Sequence, residues 1–184
     1  NRVFGQDEVI DEMVNVLKSA YAKLKVNKKK PAGSYFLAGP SGVGKTETAR
    51  ALADALDVPI LIINMGEYSL EHDVAKLLGA PPGYLGFEEG GIIPKFIEKN
   101  PRCIILFDEV EKAHSSADNI LLSIMDQGLC QDNKGNNVYF TQTIIMSTSN
   151  IGGRVEYIVN LTQEEKNEAR MDAIKEHLRP EIMG

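Results

Sequence analysis

The residues best suited to chemistry lie early in the chain, in the segment Gly39-Pro40-Ser41-Gly42-Val43-Gly44-Lys45-Thr46, which matches G-x-x-x-x-G-K-[ST] at every fixed position. Glycines let backbone N–H groups close around a phosphate, because no Cβ stands in the way. In this pattern Lys45 reaches the β- and γ-phosphates, and Thr46 holds Mg²⁺. An apolar run precedes the segment and a helical pattern follows it, so the sequence predicts a binding loop for Mg·ATP.

Two adjacent carboxylates, Asp108 and Glu109, follow the apolar run at residues 104–107. An aspartate at the tip of a buried strand beside a phosphate loop is placed to bind Mg²⁺ through water. Glu109 points elsewhere and can activate a water for attack on the γ-phosphate. The alternative, that both side chains only cap the next helix, is weakened by the complete phosphate loop upstream.

A third candidate, Asn150, follows the apolar run at residues 143–147. In a parallel sheet the tip of this strand lies near the other two, where Asn150 could position the water or sense the γ-phosphate. An asparagine at a strand end is also a common turn former, so the residue alone leaves both interpretations open.

The apolar pattern defines the elements that must position these residues. Four near-continuous runs, at residues 35–38, 60–63, 104–107 and 143–147, predict parallel strands covered on both faces. Helical spacing is found at residues 6–25, 45–56, 70–78, 92–99, 117–125 and 163–177, and residues 132–137 are typical of a hairpin tip. Strands that alternate with helices predict an α/β fold with a mostly parallel, doubly wound sheet flanked by helices.

Composition narrows the function classes. A net charge of -6 and a pI near 5.2 argue against a nucleic-acid-binding groove. The sequence has no apolar stretch long enough to span a membrane. Cys103 opens an apolar run, which favours a buried, reduced thiol and a reducing compartment, and neither Cys103 nor Cys130 has metal-type spacing.

These motifs in this order resemble the Clp family of AAA+ unfoldases, in particular the second ATPase module of the members that have two rings. The resemblance extends to Val3-Phe4-Gly5-Gln6 and to Gly79-Ala80-Pro81-Pro82-Gly83-Tyr84-Leu85-Gly86, and further to residues 64–68, 107–114 and 178–181. It covers nearly the whole chain. It implies an AAA+ P-loop large subdomain over residues 1–184, with the C-terminal helical lid not included.

The resemblance also implies roles for single residues. Val3 and Phe4 would flank the adenine, Glu109 would be the catalytic base and Asn150 the first sensor. Tyr84, with Leu85, would lie on a loop that lines a central pore and grips polypeptide. An aromatic side chain can grip any chain by apolar contact, whereas the alternative is a tyrosine packed at a turn.

The implied partners are ATP and ADP, unfolded or tagged polypeptides, and the other copies in a homo-hexamer of the full-length protein. The implied location is a bacterial cytoplasm or an organelle of bacterial descent. Two departures from the family pattern concern the neighbouring subunit and the peptidase. The chain ends at Pro180-Glu181-Ile182-Met183-Gly184, before the arginine that reaches the neighbour's ATP. After Asn150 it reads Ile151-Gly152-Gly153, which is not the docking loop for a ClpP-type peptidase, so that partner is left open.

The leading hypothesis is ATP hydrolysis that drives protein unfolding through a ring pore. One alternative is a nucleotide-binding module with little activity in isolation, since an arginine supplied in trans is worth about a thousandfold in other P-loop proteins. A P-loop kinase is disfavoured because the few arginines are scattered along the chain rather than clustered in a lid.

Overall fold

The structure, a computed structural model, describes residues 30–39, 41–84 and 86–150. The predicted helices at residues 6–25 and 163–177 lie outside these ranges. Four candidate site residues and two family segments also lie outside them: Val3, Phe4, Pro40, Leu85, and residues 151–153 and 178–184. For all of these, the sequence-based expectation stays a prediction.

Helices and strands alternate along the described part of the chain. The strands are β1 (Gly33–Ala38), β2 (Ile60–Asn64), β3 (Ile104–Asp108), β4 (Leu129–Gln131), β5 (Asn137–Tyr139) and β6 (Ile144–Ser149). The α-helices are α1 (Lys45–Leu56), α2 (Glu71–Leu78), α3 (Ile92–Lys99) and α4 (Ser116–Gln127), and two 3₁₀ turns cover Met65–Tyr68 and Val110–Lys112. Each helix and strand predicted within this part is confirmed, with small differences at the ends.

Four strands form one parallel sheet in the order β1-β6-β3-β2. Their carboxyl-terminal ends lie side by side, since Ala38 pairs with Ser149 and Phe107 pairs with Ser147. Residues that directly follow these strands therefore meet at one edge of the sheet. The predicted doubly wound parallel sheet is confirmed, and this edge brings the candidate site residues together.

The core lies on both faces of the two central strands. On one face Leu106 and Met146 pack with residues of α1, and on the other Ile105, Phe107 and Ile145 belong to the core shared with α2, α3 and α4. The outer strands β1 and β2 are only partly buried. Coverage on both faces was expected for all four strands, but it is complete only at the centre, because each outer strand has one hydrogen-bonded neighbour in the described part.

The two cysteines are buried and free, which confirms the buried thiol predicted for Cys103. Burial raises the pKa of Cys103 to about 11 and the pKa of Cys130 to about 12. Because the thiolate is the reactive form, both side chains behave as small apolar groups of the core.

Strands β4 and β5 form a separate antiparallel hairpin, which confirms the predicted tip. At this tip the carboxylate of Asp132 accepts hydrogen bonds from the backbone N–H of Lys134 (2.9 Å) and of Asn136 (2.7 Å). Gly135 supplies the positive φ, 80°, that the turn needs. The hairpin tip is therefore held in one shape by its own hydrogen bonds.

Candidate active site

The loop between β1 and α1 has the backbone shape that phosphate binding requires. Gly42 and Gly44 adopt φ values of 83° and 95°, which side chains with a Cβ rarely tolerate. The carbonyl of Gly44 accepts hydrogen bonds from Thr48 N (2.8 Å) and Thr48 Oγ1 (2.9 Å), so α1 begins directly after the loop. Among the described residues, no atom lies within 4 Å of a Cβ placed on Gly42, so these residues leave space for a ligand beside the loop.

Lys45, the first residue of α1, turns back over the loop. Its Nζ donates hydrogen bonds to the carbonyl oxygen of Gly39 (2.6 Å) and to Oδ1 of Asn150 (2.9 Å). The ammonium group therefore lies between the phosphate loop and the end of β6. A point charge with three donors in this place suits the oxygens of a polyphosphate.

Asp108, at the end of β3, faces the start of α1. Thr46 Oγ1 donates to Asp108 Oδ2 (2.9 Å), and Thr148 Oγ1, from β6, donates to Asp108 Oδ1. The same Thr148 oxygen accepts a hydrogen bond from the backbone N–H of Glu109 (2.9 Å). Carboxylate and hydroxyl oxygens are ligands that Mg²⁺ prefers, so this donor set fits the predicted metal ion.

Glu109 has a left-handed backbone, with φ 58° and ψ 54°, and its carboxylate has other hydrogen-bond partners than that of Asp108. A side chain with a Cβ in this conformation costs roughly 1 kcal/mol or more. Its Oε2 accepts a hydrogen bond from Lys112 Nζ (2.6 Å), and its Oε1 accepts one from Asn150 Nδ2 (2.7 Å). The bond from Lys112, followed by the bond from Asn150, holds the pKa of the Glu109 carboxyl below its ordinary value, so the carboxylate is ionised at neutral pH.

Asn150 connects the two halves of the site through one side-chain amide. Its oxygen faces Lys45, which can only donate, and its nitrogen faces Glu109, whose carboxylate can only accept. The chemistry of both neighbours therefore determines the orientation of the amide. Its backbone N–H donates to Glu111 Oε1 (3.0 Å), which fixes the end of β6 against the turn that follows β3.

The structure brings together the side chains of five predicted site residues, namely Lys45, Thr46, Asp108, Glu109 and Asn150, beside the loop residue Gly39. Tyr84 lies elsewhere, in the connection between α2 and α3, and its side chain is 71% exposed.

Sequence reasoning missed three residues that contact this cluster: Lys112, Glu111 and Thr148. A sequence signal was present for one of them. Lys112 lies three positions after Glu109, the spacing of a helical ion pair. For Glu111 and Thr148, the sequence holds no comparable signal.

The comparisons with known proteins agree with this arrangement. The family model described as AAA domain (Cdc48 subfamily) matches residues 30–184. The chain belongs to this family.

Among the relatives, this AAA-family chain is 43% identical over 191 residues to "Chaperone protein ClpB 1" of Nostoc sp., covering 100% of this chain and 21% of the relative. It is 40% identical over 186 residues to "Chaperone protein ClpB" of Mycoplasma pneumoniae, and the match covers 100% of this chain and 25% of the relative. It is 46% identical over 150 residues to "ClpA homolog protein" of Fuscovulum blasticum, and this match covers 82% of this chain and 19% of the relative. The chain thus spans about a fifth to a quarter of the length of these curated relatives.

Family membership confirms the resemblance found in the sequence: the chain is a Clp-type AAA+ ATPase module. Nucleotide binding follows for the family, and the kinase alternative is not favoured. In the described ranges, no helix combines the length and apolar character needed to cross a membrane.

Proposed function

We propose that this AAA module binds Mg·ATP at the loop after β1 and hydrolyses it, and that the full-length protein uses the energy to unfold polypeptides and move them through a ring pore. One observation carries the proposal: the single amide of Asn150 contacts both Lys45 and Glu109. It joins the group that would hold the phosphates to the group that would activate water. The names of the chaperone relatives support the second half of the proposal.

The phosphates would be held by Lys45 and by the backbone amides of residues 39–46, at the positive end of the dipole of α1. Thr46 and Asp108 would hold Mg²⁺, which when bound neutralises charge on the phosphate oxygens. Val3 and Phe4 would flank the adenine, and residues 1–184 would form the large α/β subdomain of the module.

Glu109 would accept the proton of the attacking water. Its ionised state suits a base, and Asn150 holds one of its oxygens while Lys112 holds the other. Because Asn150 also contacts Lys45, a movement of the lysine towards a phosphate would shift the Asn150 amide and, through it, the Glu109 carboxylate. This contact gives Asn150 a physical means to sense the γ-phosphate.

The pH dependence of hydrolysis tests the role of the ion pair. Lys112 keeps the pKa of Glu109 low, so the base stays ionised as the pH falls. In Lys112→Met the pKa of Glu109 rises, and we expect the acidic limb of the pH profile of kcat for ATP to move to higher pH. Lys112→Arg retains the charge and should keep the limb near its original position. An acidic limb that stays in place in Lys112→Met would contradict this role.

Tyr84 would grip the polypeptide in a homo-hexamer of the full-length protein, in a bacterial cytoplasm or an organelle of bacterial descent. The side chain is exposed and lies between two turns, with positive φ at Gly83 (87°) and at Gly86 (87°). An exposed aromatic ring on such a loop offers apolar contact without sequence preference. A ClpP-type peptidase is a further candidate partner.

Unfolding of a tagged fluorescent protein by the full-length protein tests this assignment. Tyr84→Ala is expected to reduce the unfolding rate roughly tenfold or more, the usual cost of removing an aromatic interface residue. Tyr139→Ala is the matched control, since Tyr139 is also exposed (59%) but lies on β5, outside the loop. The assignment of Tyr84 fails if both variants unfold the substrate at the same rate.

A further inference from the structure

The connection between α2 and α3 that carries Tyr84 is a succession of tight turns. Backbone N–H groups of Tyr84, Phe87 and Glu89 donate to carbonyl oxygens three residues earlier, at 3.1–3.2 Å. Most of its residues between positions 81 and 89 are exposed. Such local turns shape the loop but do not attach it to the rest of the molecule.

Attachment comes from the tip of the β4–β5 hairpin. The side-chain Nδ2 of Asn133 donates to the carbonyl oxygen of Ala80 (2.7 Å) and also to that of Phe87 (3.0 Å). Both N–H groups of one amide are thereby used, one at each end of the segment 80–87. The backbone N–H of Asn133 donates in addition to the carbonyl oxygen of Leu78, at the end of α2 (3.2 Å).

The neighbours of Asn133 are arranged to allow this contact. Gly79 has φ 113°, and a Cβ there would overlap the Asn133 side chain, with 2.6 Å to Oδ1. Lys134 lies over the ring of Phe87 (5.8 Å to its centroid) and 3.7 Å from Glu88. These last two contacts are exposed and contribute little by themselves, so the amide of Asn133 is the main connection.

In the sequence, the hairpin lies between two segments that contribute to the candidate active site. α4, which precedes it, follows the turn that carries Glu109 and Lys112, and β6, which comes after it, leads to Asn150. Phe140, between β5 and β6, is fully buried, and this fixes the hairpin to the core. The support that Asn133 gives the loop is therefore fixed to the same elements that position the base.

We propose that Asn133 is a positioning residue that holds the Tyr84 loop at both of its ends, so that the aromatic side chain meets polypeptide in a defined place. The inference rests on the proposed function, because it assumes that this loop contacts the polypeptide. By this proposal, polypeptide binding depends on Asn133 as well as on Tyr84, and the β4–β5 hairpin supports the Tyr84 loop.

A first experiment tests the contact without reference to function. In Asn133→Asp, which keeps the size of the side chain but cannot donate, we expect amide hydrogen exchange in residues 80–90 of the full-length protein to become roughly tenfold faster. Asn133→Ala should give the same result. Asn136→Ala is the control, because its side-chain amide lies at the same tip but donates to the Asp132 carboxylate (2.9 Å), not to a carbonyl of the loop, within the described residues. Unchanged exchange in both Asn133 variants overturns the proposal.

A second experiment separates positioning from a general loss of structure. With an unfolded polypeptide as substrate, Asn133→Asp is expected to raise the KM for polypeptide about tenfold and to change kcat by less than about twofold. If Asn133 acts through the loop, the KM for polypeptide of the double variant Tyr84→Ala/Asn133→Asp should be no higher than that of Tyr84→Ala alone. Additive increases in KM, or an unchanged KM in Asn133→Asp, overturn the positioning role. If Tyr84→Ala itself has no effect, the proposed function of the loop fails, whereas hydrogen exchange still decides whether Asn133 holds it.

Discussion

Lys45→Met is expected to weaken ATP binding about a hundredfold, because the loss of a charge-assisted contact to phosphate costs about 3 kcal/mol. The Lys45 ammonium lies between the loop carbonyl of Gly39 and the amide oxygen of Asn150. Methionine has a similar length but no donor and no charge. Isothermal titration calorimetry with a slowly hydrolysed ATP analogue and Mg²⁺ measures the change in Kd.

Two controls separate the loss of the phosphate contact from other effects. Lys95→Met removes the same charge from an exposed position of α3, which packs in the core on the opposite face of the sheet from α1, and should keep the affinity of the parent protein. Thermal unfolding of Lys45→Met shows whether the loop and α1 remain folded. An unchanged Kd in a folded Lys45→Met protein would remove the phosphate loop from the proposed function.

Glu109→Gln is expected to keep ATP binding but to lower kcat by about a hundredfold to ten-thousandfold, the range that a general base contributes. Glutamine has the same shape, and its amide oxygen can still accept the hydrogen bond from Asn150. It cannot accept a proton, and its NH₂ group cannot replace the carboxylate that pairs with Lys112. Single-turnover hydrolysis, with binding measured in parallel, separates the chemical step from affinity.

The control for Glu109→Gln is Glu98→Gln, which removes one negative charge from α3 and should turn over ATP at the parental rate. A rate of Glu109→Gln within a few-fold of the parent would mean that another group takes the proton. Loss of ATP binding in the same variant would instead point to a damaged loop, contrary to the separate roles proposed for Lys45 and Glu109.

Much of the sheet could be predicted because its central strands consist mainly of apolar residues. The run at residues 104–107 is wholly buried in β3, as its composition indicates. The ends of the other strands were harder to predict, since polar residues normally signal solvent. In β6, Thr148 and Ser149 are buried because they pair with Leu37 and Ala38 of β1, and a pattern of single residues does not show pairing.

The site was predictable where a motif fixes both residue type and spacing. Lys45, Thr46 and Asp108 lie together as the motif implies. The contact of Glu109 with Asn150 was not predictable, because it depends on the left-handed backbone of Glu109 and on the end of β6. The same holds for Asn133, whose two acceptors lie some fifty residues earlier and become neighbours only when the hairpin packs beside the loop.

The strand order has a consequence for how the molecule is made. β1 is synthesised before the other strands of the sheet, but in the described part its sheet partner is β6, the last of them. Pairing so distant in sequence must close a long loop and is slow compared with local contacts. A nascent chain that has finished β1, β2 and β3 still lacks the strand that joins β1 to the sheet. The pocket beside the glycine-rich loop is therefore completed only when the segment ending in Asn150 has left the ribosome.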